Sequence, residues 1–223
     1  MNLTSPILKT KMNDPIKNCK WALYPLGDIT QWWGENEALY TKAFKDSYPD
    51  YYKEAKKFIH SGIDIVRPYG EHLFAVEDGK VTEVKDSPTG YGKHIRFVSK
   101  KEDGIQREWV YGHLSYIHVK EGDKIKAGQY IANMGNTGFV VSNDTANGFW
   151  NDNPYRGTHL HLGCRIRKDG KVQDYYNGAF GRIDLLPLFR DPKLTSSKVL
   201  KIASATQNKT LFQLSQVLRT VGV

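Results

Sequence analysis

Residues 73–84 read LFAVEDGKVTEV, two runs of β-forming residues on either side of an Asp-Gly pair. The segment from residue 63 to residue 166 continues in the same way, with runs such as HIRFV at 94–98 and EWVY at 108–111 bounded by Gly, Asp or Pro. Short β-prone runs at this spacing are typical of an antiparallel all-β fold. The Asp78-Gly79 pair predicts a hairpin turn between the two strands that flank it.

Residues 119–131, VKEGDKIKAGQYI, combine two turn glycines with apolar residues that alternate with polar ones. This pattern indicates a sandwich-like topology for the β core. It also occurs in biotin- and lipoyl-carrier domains, and a carrier role is therefore one alternative. That role requires a modifiable Lys at a hairpin tip, usually beside Met, whereas the corresponding residues 133–136 read NMGN and contain no Lys.

Three further segments flank or interrupt the β core, which is predicted to span residues 58–190. Residues 36–58 carry apolar side chains at helical spacing and Pro49 breaks the run, so a partly helical lead is predicted over 1–57. Residues 139–156 are rich in Gly, Asn and Asp without a clear period, which predicts a long loop. The apolar spacing in residues 211–221 predicts that 191–223 form a linker and a C-terminal amphipathic helix.

The composition limits the class of protein. The 223-residue chain is 39% hydrophobic and 12% aromatic, which supports a buried core. No run approaches the roughly 18 consecutive apolar residues of a membrane span, and residues 1–20 lack the apolar core of a signal peptide, so we expect no membrane span and synthesis in a cytoplasm. The net charge of +8 suits an anionic polymer as partner. The Lys and Arg residues are spread along the chain and match no nucleic-acid motif, so no nucleic-acid partner is predicted.

Three histidines and one aspartate form a pattern that predicts a metal site. His60 and Asp64 are four residues apart in HSGIDI, where Gly62 and the β-branched residues favour an extended segment. Residues four apart in a strand lie on one face, and by the same rule His159 and His161 share a face. Two imidazoles and a carboxylate, with a position left open for water, are a ligand set used by catalytic zinc.

A further histidine follows a strand in YGH at 111–113, and together these motifs resemble the lysostaphin-like zinc endopeptidases, a family of peptidoglycan hydrolases. The resemblance covers residues 58–167 in order and approximate spacing, through HSGIDI at 60–65, AVEDGKV at 75–81, YGHLS at 111–115, GQYI at 128–131, GNTG at 135–138 and THLHL at 158–162. It implies a compact antiparallel β structure with a groove. It also implies hydrolysis of amide bonds in the peptide cross-links of bacterial peptidoglycan.

The resemblance further implies the roles of the site residues. It makes His60, Asp64 and His161 the ligands of one Zn²⁺ per chain, and His113 and His159 the catalytic histidines. The sequence contains no His-Glu-x-x-His motif that would supply a glutamate base. One of the two histidines would therefore accept the proton of the attacking water and the other would stabilise the reacting carbonyl, and the sequence leaves open which does which.

Aromatic residues and the remaining histidines complete the candidate site. Trp32, Trp33 and Tyr91 are candidates to line the groove, because flat aromatic faces bind peptide and sugar rings well, whereas core packing is the alternative expected for at least one of the two Trp residues. The remaining histidines match no ligand position of the family and are predicted to be surface or packing residues: His72, His94 and His118.

The chain departs from the family pattern in two ways. The link between GNTG and THLHL is long, so residues 139–156 are predicted to be an insertion that either covers the groove or is an ordinary surface loop. No wall-anchoring module is recognisable. Without a signal peptide, the expected setting is a bacteriophage lysin or a virion-borne wall hydrolase that reaches the wall after lysis or in the particle. A non-catalytic wall-binding or regulatory protein on the same fold is the alternative, although such proteins tend to lose the metal ligands that are all present here.

Overall fold

The computed structural model describes residues 28–101, 104–142, 145–148, 156–185 and 188, with the backbone alone over 141–148. The described residues form an antiparallel β structure with two short helices, and the predicted all-β class is confirmed. The helices are α1 (Glu37–Phe44) and α2 (Pro49–Ala55). The strands are β1 (Asp28–Gln31), β2 (Ile63–Val66), β3 (His72–Phe74), β4 (Gly79–Lys85), β5 (His94–Ser99), β6 (Ile105–Gly112), β7 (Leu114–Ile117), β8 (Lys124–Ile125), β9 (Tyr130–Met134), β10 (Val140–Ser142), β11 (Thr145–Gly148), β12 (Leu160–Lys168) and β13 (Lys171–Val172).

Two sheets enclose the core. The large sheet has eight strands in the order β1-β2-β12-β6-β5-β4-β8, with β13 paired to β12, and the small sheet has the order β3-β9-β7. Ile63, Ile65, Leu160 and Leu162 of the large sheet are fully buried and alternate with the residues of its other face. The Tyr111 hydroxyl ties the sheets together, because it donates to the carbonyl of Phe74 at 2.9 Å.

The turn at Asp78-Gly79 does not close a hairpin, and that prediction is wrong. β3 pairs with β9 in the small sheet, whereas β4 pairs with β5 and β8 in the large sheet, so the turn carries the chain from one sheet to the other. The acidic residues of the turn explain the crossing. The buried Glu77 carboxylate accepts hydrogen bonds from Trp109 and Arg107, whose Nη2 lies 2.7 Å away, and Asp78 accepts from the Ala127 amide at 2.9 Å.

The lead and the insertion contain more strand than the sequence predicted. β1 lies in the predicted lead and is an edge strand of the large sheet, paired with β2. Helix α2 packs against the segment after β13, where the Tyr51 hydroxyl accepts hydrogen bonds from the amides of Gly178 and Phe180. Within the segment predicted as a loop, 139–156, β10 and β11 pair as an antiparallel ribbon, which corrects that prediction for the part described. The predicted C-terminal helix lies outside the described residues, and the predicted domain boundaries stay predictions.

Among the described residues, neither helix has the length and apolar character needed to cross a membrane.

Removing the Glu77 carboxylate is expected to lower the free energy of unfolding by about 3 kcal/mol, because a buried ion pair that loses one partner leaves the other charge uncompensated. Glu77→Ala leaves Arg107 and the Trp109 indole without their shared acceptor. Urea unfolding measures the difference. Glu121→Ala, at an exposed glutamate, is the control and is expected to change stability by less than about 0.5 kcal/mol. Equal midpoints for the two variants would contradict this account of the crossing.

Candidate metal centre

The pairing of β12 with β2 places two of the predicted ligands directly opposite each other. His161 of β12 is in register with Asp64 of β2, and His60 precedes β2 by three residues. His161 Nδ1 lies 2.9 Å from Asp64 Oδ1, and His60 Nε2 lies 3.1 Å from both of these atoms. The three side chains are buried, and their ligand atoms converge on one point. The structure thus brings together the three residues that the sequence singled out.

The donor chemistry of this triangle fits a cation. His60 Nδ1 lies 2.9 Å from the carbonyl of Trp32 and must donate to it, so once His60 is neutral, as a metal ligand must be, its Nε2 lone pair faces the other two atoms. Asp64 offers a carboxylate oxygen as the third atom. One shared proton can bridge only two of the three atoms, His60 Nε2, His161 Nδ1 and Asp64 Oδ1, whereas a metal ion can bind all three. Zinc bonds of about 2.0–2.1 Å in tetrahedral geometry imply ligand atoms about 3.3 Å apart, which is close to the observed spacing.

Burial and the neighbouring charges set the protonation of the three groups. Burial would raise the pKa of Asp64, but His60, His159 and His161 outweigh it and hold that pKa well below its usual range. Burial lowers the pKa of His161 to about 4, although Asp64 opposes the shift. Burial also opposes protonation of His60, yet the charge and hydrogen bond of Asp64 and the Trp32 carbonyl raise its pKa. Without a metal, the proton of the centre therefore belongs to His60.

His113 and His159 flank the triangle with fixed tautomers. His113 Nδ1 lies 2.8 Å from the Thr137 carbonyl and His159 Nδ1 lies 2.6 Å from the Gly157 carbonyl, so each ring donates from Nδ1 and its neutral form has the lone pair on Nε2. The two ring centres are 4.6 Å apart, and His159 Nε2 is 3.7 Å from Asp64 Oδ2. Burial, with His159 and His161 nearby, lowers the pKa of His113 well below its usual range. His113 is therefore a neutral imidazole.

His113 sits at the corner where the chain passes from the large sheet to the small one. It has a left-handed backbone with φ of 62°, between β6 and β7. The loop after β9 holds this corner, because Gly92 and Gly138 touch backbone to backbone. A Cβ on Gly138 would lie 2.2 Å from the Gly92 amide nitrogen, and both residues have positive φ. The same loop supplies the Thr137 carbonyl that orients His113.

Tyr91 contacts the metal ligands through a short hydrogen-bond chain that the sequence did not reveal. Its hydroxyl lies 3.0 Å from Ser61 Oγ, which in turn lies 3.5 Å from His161 Nε2, the nitrogen turned away from the metal position. The Tyr91 ring packs 5.0 Å from the His161 ring. Gly62 allows this approach, since a Cβ there would lie 2.9 Å from His161 Nε2. Groups that fix the second nitrogen of a metal-bound histidine orient its ring.

The N-terminal elements cover the other side of the centre. Tyr40 of α1 stacks on the His60 ring at 5.6 Å, and burial together with the charge of Asp64 raises its pKa. Of the predicted groove residues, Trp32 is 4% exposed and contributes its carbonyl to His60, whereas Trp33 is half-buried and donates from Nε1 to the Arg182 carbonyl. Sequence reasoning missed Tyr40, because its distance of 20 residues from His60 carries no signal.

The remaining histidines lie away from the triangle. His94 is buried and bonds to Glu83 at 2.7 Å, His72 stacks on Tyr130, and His118 bonds to Asn133. Of the described groups of His, Cys, Asp and Glu, His60, Asp64 and His161 are the set close enough to hold a metal.

A comparison with known families decides the assignment: the profile of peptidase family M23 matches residues 58–175, more than half of the chain. The chain belongs to this family. The matched residues include all three members of the triangle and both flanking histidines. The expected resemblance to lysostaphin-like peptidases is thereby confirmed.

Individual relatives match parts of this chain. It is 41% identical to the glycyl-glycine endopeptidase ALE-1 of Staphylococcus capitis over 83 residues, 37% of this chain and 22% of the relative. It is 35% identical to the murein hydrolase activator NlpD of Escherichia coli over 79 residues, 35% of this chain and 20% of the relative. The chain thus spans about a fifth of the length of these relatives. The catalytic domain of the antimicrobial peptidase lysostaphin from Staphylococcus simulans aligns over 58% of this chain and 77% of that domain, with 29% identity and a TM-score of 0.41.

Substitution of Gly138 is expected to loosen the corner that holds His113. In Gly138→Ala, strain at positive φ adds about 1–2 kcal/mol and overlap with Gly92 adds about 1–3 kcal/mol of destabilisation. Gly122→Ala is the matched control, because Gly122 also has positive φ but has open space around its Cα, so only the first contribution applies. Urea unfolding of both variants separates the two effects. Equal losses of stability would show that the close approach carries no energetic weight.

Zinc binding by the M23 peptidase is expected to release one proton between about pH 4.5 and 6. His60 holds a proton there because its pKa is raised. Asp64 has already lost its proton because its pKa lies well below its usual range, and His161 has lost its proton because its pKa is about 4. Zinc affinity should therefore fall by about tenfold for each unit of decreasing pH. Calorimetry in buffers of different ionisation enthalpy counts the protons. Release of two protons would show that His161 is also protonated in the metal-free chain.

Proposed function

We propose that this M23 peptidase is a zinc-dependent endopeptidase that hydrolyses amide bonds in the peptide cross-links of bacterial peptidoglycan. The observation that carries the proposal is the convergence of three acceptor atoms of His60, Asp64 and His161, beside two histidines with free Nε2 lone pairs. The endopeptidase name of the ALE-1 relative supports the reaction class, and the basic charge of the chain suits an anionic wall polymer.

His60, Asp64 and His161 would hold the zinc ion. When bound, zinc supplies Lewis-acid chemistry, since it polarises a carbonyl and makes water more acidic. Three protein ligands are the usual number in a catalytic site, because one position stays open. Asp64 is a carboxylate at neutral pH, and it balances part of the metal charge within the buried centre.

His159 accepts the proton of the attacking water in the proposed mechanism. Its Nε2 atom lies 3.7 Å from Asp64 Oδ2, which places it nearest to the metal ligands, and the Gly157 carbonyl fixes its tautomer. His113 lies one ring further out and is neutral before the reaction, so its Nε2 can receive the proton that His159 took from the water and pass it to the departing amine. The contact with the Thr137 carbonyl keeps this ring oriented.

A non-catalytic role at the wall is the second candidate. The relative named a murein hydrolase activator is 35% identical to this chain over 79 residues, so similar sequence occurs in a protein described by another role. The two roles make different demands on the residues. A binding protein needs the groove surface, whereas hydrolysis needs the metal ligands and both flanking histidines, and this chain has all five.

The proposal is tested by metal content and by loss of turbidity of purified bacterial walls. The wild-type chain is expected to carry one zinc per chain and to clear the walls. His161→Ala removes one of three ligands and should abolish both properties. His72→Ala is the matched control, because His72 is exposed and packs on Tyr130 away from the centre, and it should retain both zinc and activity.

Two further outcomes discriminate between the candidates. In His113→Ala, zinc should remain while hydrolysis falls by about 10²-fold or more, which is the usual contribution of a positioned acid or base. A wild-type chain that binds walls of several chemical types and holds zinc, yet releases no new amino groups from any of them, would favour the binding role.

A further inference from the structure

Arg182 lies on the same face of the large sheet as the metal ligands. Its backbone forms an antiparallel bridge with Arg165 of β12, and the Ile183 amide donates to the Cys164 carbonyl at 2.8 Å. Bridged residues project to the same side of a sheet, and residues two apart in a strand share a face. Arg165, Gly163 and His161 are therefore on one face of β12, and the side chain of Arg182 joins them beside the metal centre.

The Arg182 side chain runs across this face of the sheet at Gly163, where β12 has no side chain. A Cβ on Gly163 would lie 3.1 Å from Arg182 Cδ, so the stem crosses directly over Gly163. Tyr91 lies over Gly112 in the same way, with Cδ1 3.1 Å from a Cβ placed there. The guanidinium carbon of Arg182 is 5.4 Å from the centre of the Tyr91 ring. These two side chains form the floor next to His161.

The Arg182 guanidinium lacks an anionic partner in the described part of the chain. The residue is only 4% exposed, and its described side-chain partner is the ring face of Tyr91. The fully enclosed nitrogens that have no partner belong to other residues, namely Gln31, Trp32, Arg67 and Arg165, so the nitrogens of Arg182 keep contact with solvent. Burial lowers the pKa of Arg182, but arginine stays protonated in proteins. A buried cation without a carboxylate is unfavourable unless something else neutralises it.

Glu108 favours the charged form of Arg182 from a distance, but its carboxylate oxygens are paired with other arginines. Glu108 is 6% exposed and binds Arg165 at 2.6 Å, Arg167 at 2.7 Å and Arg96 at 3.5 Å. Arg96 shares Glu83 as well, at 3.0 Å. Arg96, Arg165 and Arg167 therefore share the carboxylates of Glu108 and Glu83. With Arg182 added, four guanidinium groups are present for two carboxylates, so this face of the sheet carries an excess of positive charge.

The distance from Arg182 to the metal centre suits a peptide bound across both. The Tyr91 ring is 5.0 Å from the His161 ring and 5.4 Å from the guanidinium carbon, so the guanidinium is at most about 10 Å from the His161 ring. An extended peptide advances about 3.3 Å per residue. A group on the substrate within about three residues of the reacting amide therefore reaches Arg182.

We propose that Arg182 binds a free carboxylate of the peptide substrate, within about three residues of the bond that is cut. This inference rests on the proposed function and names the specificity-determining residue of the same site. The carboxylate replaces the missing partner of the guanidinium, and a planar bidentate pair matches the geometry of both groups.

Paired peptides test this assignment. Each peptide has five glycines and carries one Glu either before or after the glycine run, and its partner carries Gln at the same position. The wild-type chain with one zinc is expected to show a kcat/KM about tenfold to a hundredfold higher for the Glu peptide of one pair, which is the ratio that charge-assisted hydrogen bonds supply. In Arg182→Gln that ratio should fall to about one, and in Arg182→Lys it should be intermediate.

The controls separate recognition from folding and from catalysis. Lys120→Gln removes one cation from an exposed turn and should keep the wild-type ratio. Zinc content and the unfolding midpoint show whether each Arg182 variant is folded, and Arg182→Lys serves if Arg182→Gln is not. Equal turnover of Glu and Gln peptides by the wild type, or an unchanged ratio in the Arg182 variants, would overturn the assignment.

A chain that holds zinc but cleaves none of the peptides would count against the proposed function and not against Arg182. Calorimetric binding of the same peptides then decides. Tighter binding of a Glu peptide than of its Gln partner by the wild type, lost in Arg182→Gln, supports the carboxylate site. Equal binding of both peptides rejects it.

Discussion

The register of β12 between β2 and β6 is the constraint on which the site depends. His161 faces Asp64 on one side and Gly112 on the other, and these two pairings fix which face of β12 carries the His161 imidazole. A slip of one residue would turn Leu160 and Leu162 outward and His161 into the core. The buried leucines therefore specify the register through the hydrophobic effect, and the position of the imidazole follows from the packing of its neighbours.

Close contacts at two glycines of the large sheet, Gly112 and Gly163, bring further side chains beside His161. Gly112 and Gly163 leave room on the floor, and Tyr91 and Arg182 occupy that room from two distant parts of the chain. Tyr91 then reaches Ser61 with its hydroxyl, and Ser61 faces the outer nitrogen of His161. Tyr91 and Ser61 consequently help to orient the His161 ring, in addition to the contacts among His60, Asp64 and His161 themselves.

Local pattern was sufficient for part of this structure and insufficient for the rest. The motif order led to the correct family, but the predicted extended segment begins only at Ile63, so the contact of His60 with Asp64 does not follow from the strand period. The hairpin at Asp78-Gly79 was predicted wrongly, because turn chemistry does not show which sheet the next strand joins, and the partner of Glu77 lies 30 residues away at Arg107. The pairing of β10 with β11 was missed because its strands are short.

Residues that act through long-range contacts were equally hidden from the sequence. Arg182 follows the matched motifs and belongs to no recognisable pattern, and only its bridge to Arg165 reveals the face on which it lies. The net charge of +8 likewise indicates an anionic partner without locating it. In the fold, Glu108 forms ion pairs with Arg165 and Arg167, whereas the Arg182 guanidinium lies over the face of the Tyr91 ring. Among the described residues, the Arg182 guanidinium therefore keeps a positive charge without a paired carboxylate, at most about 10 Å from the His161 ring.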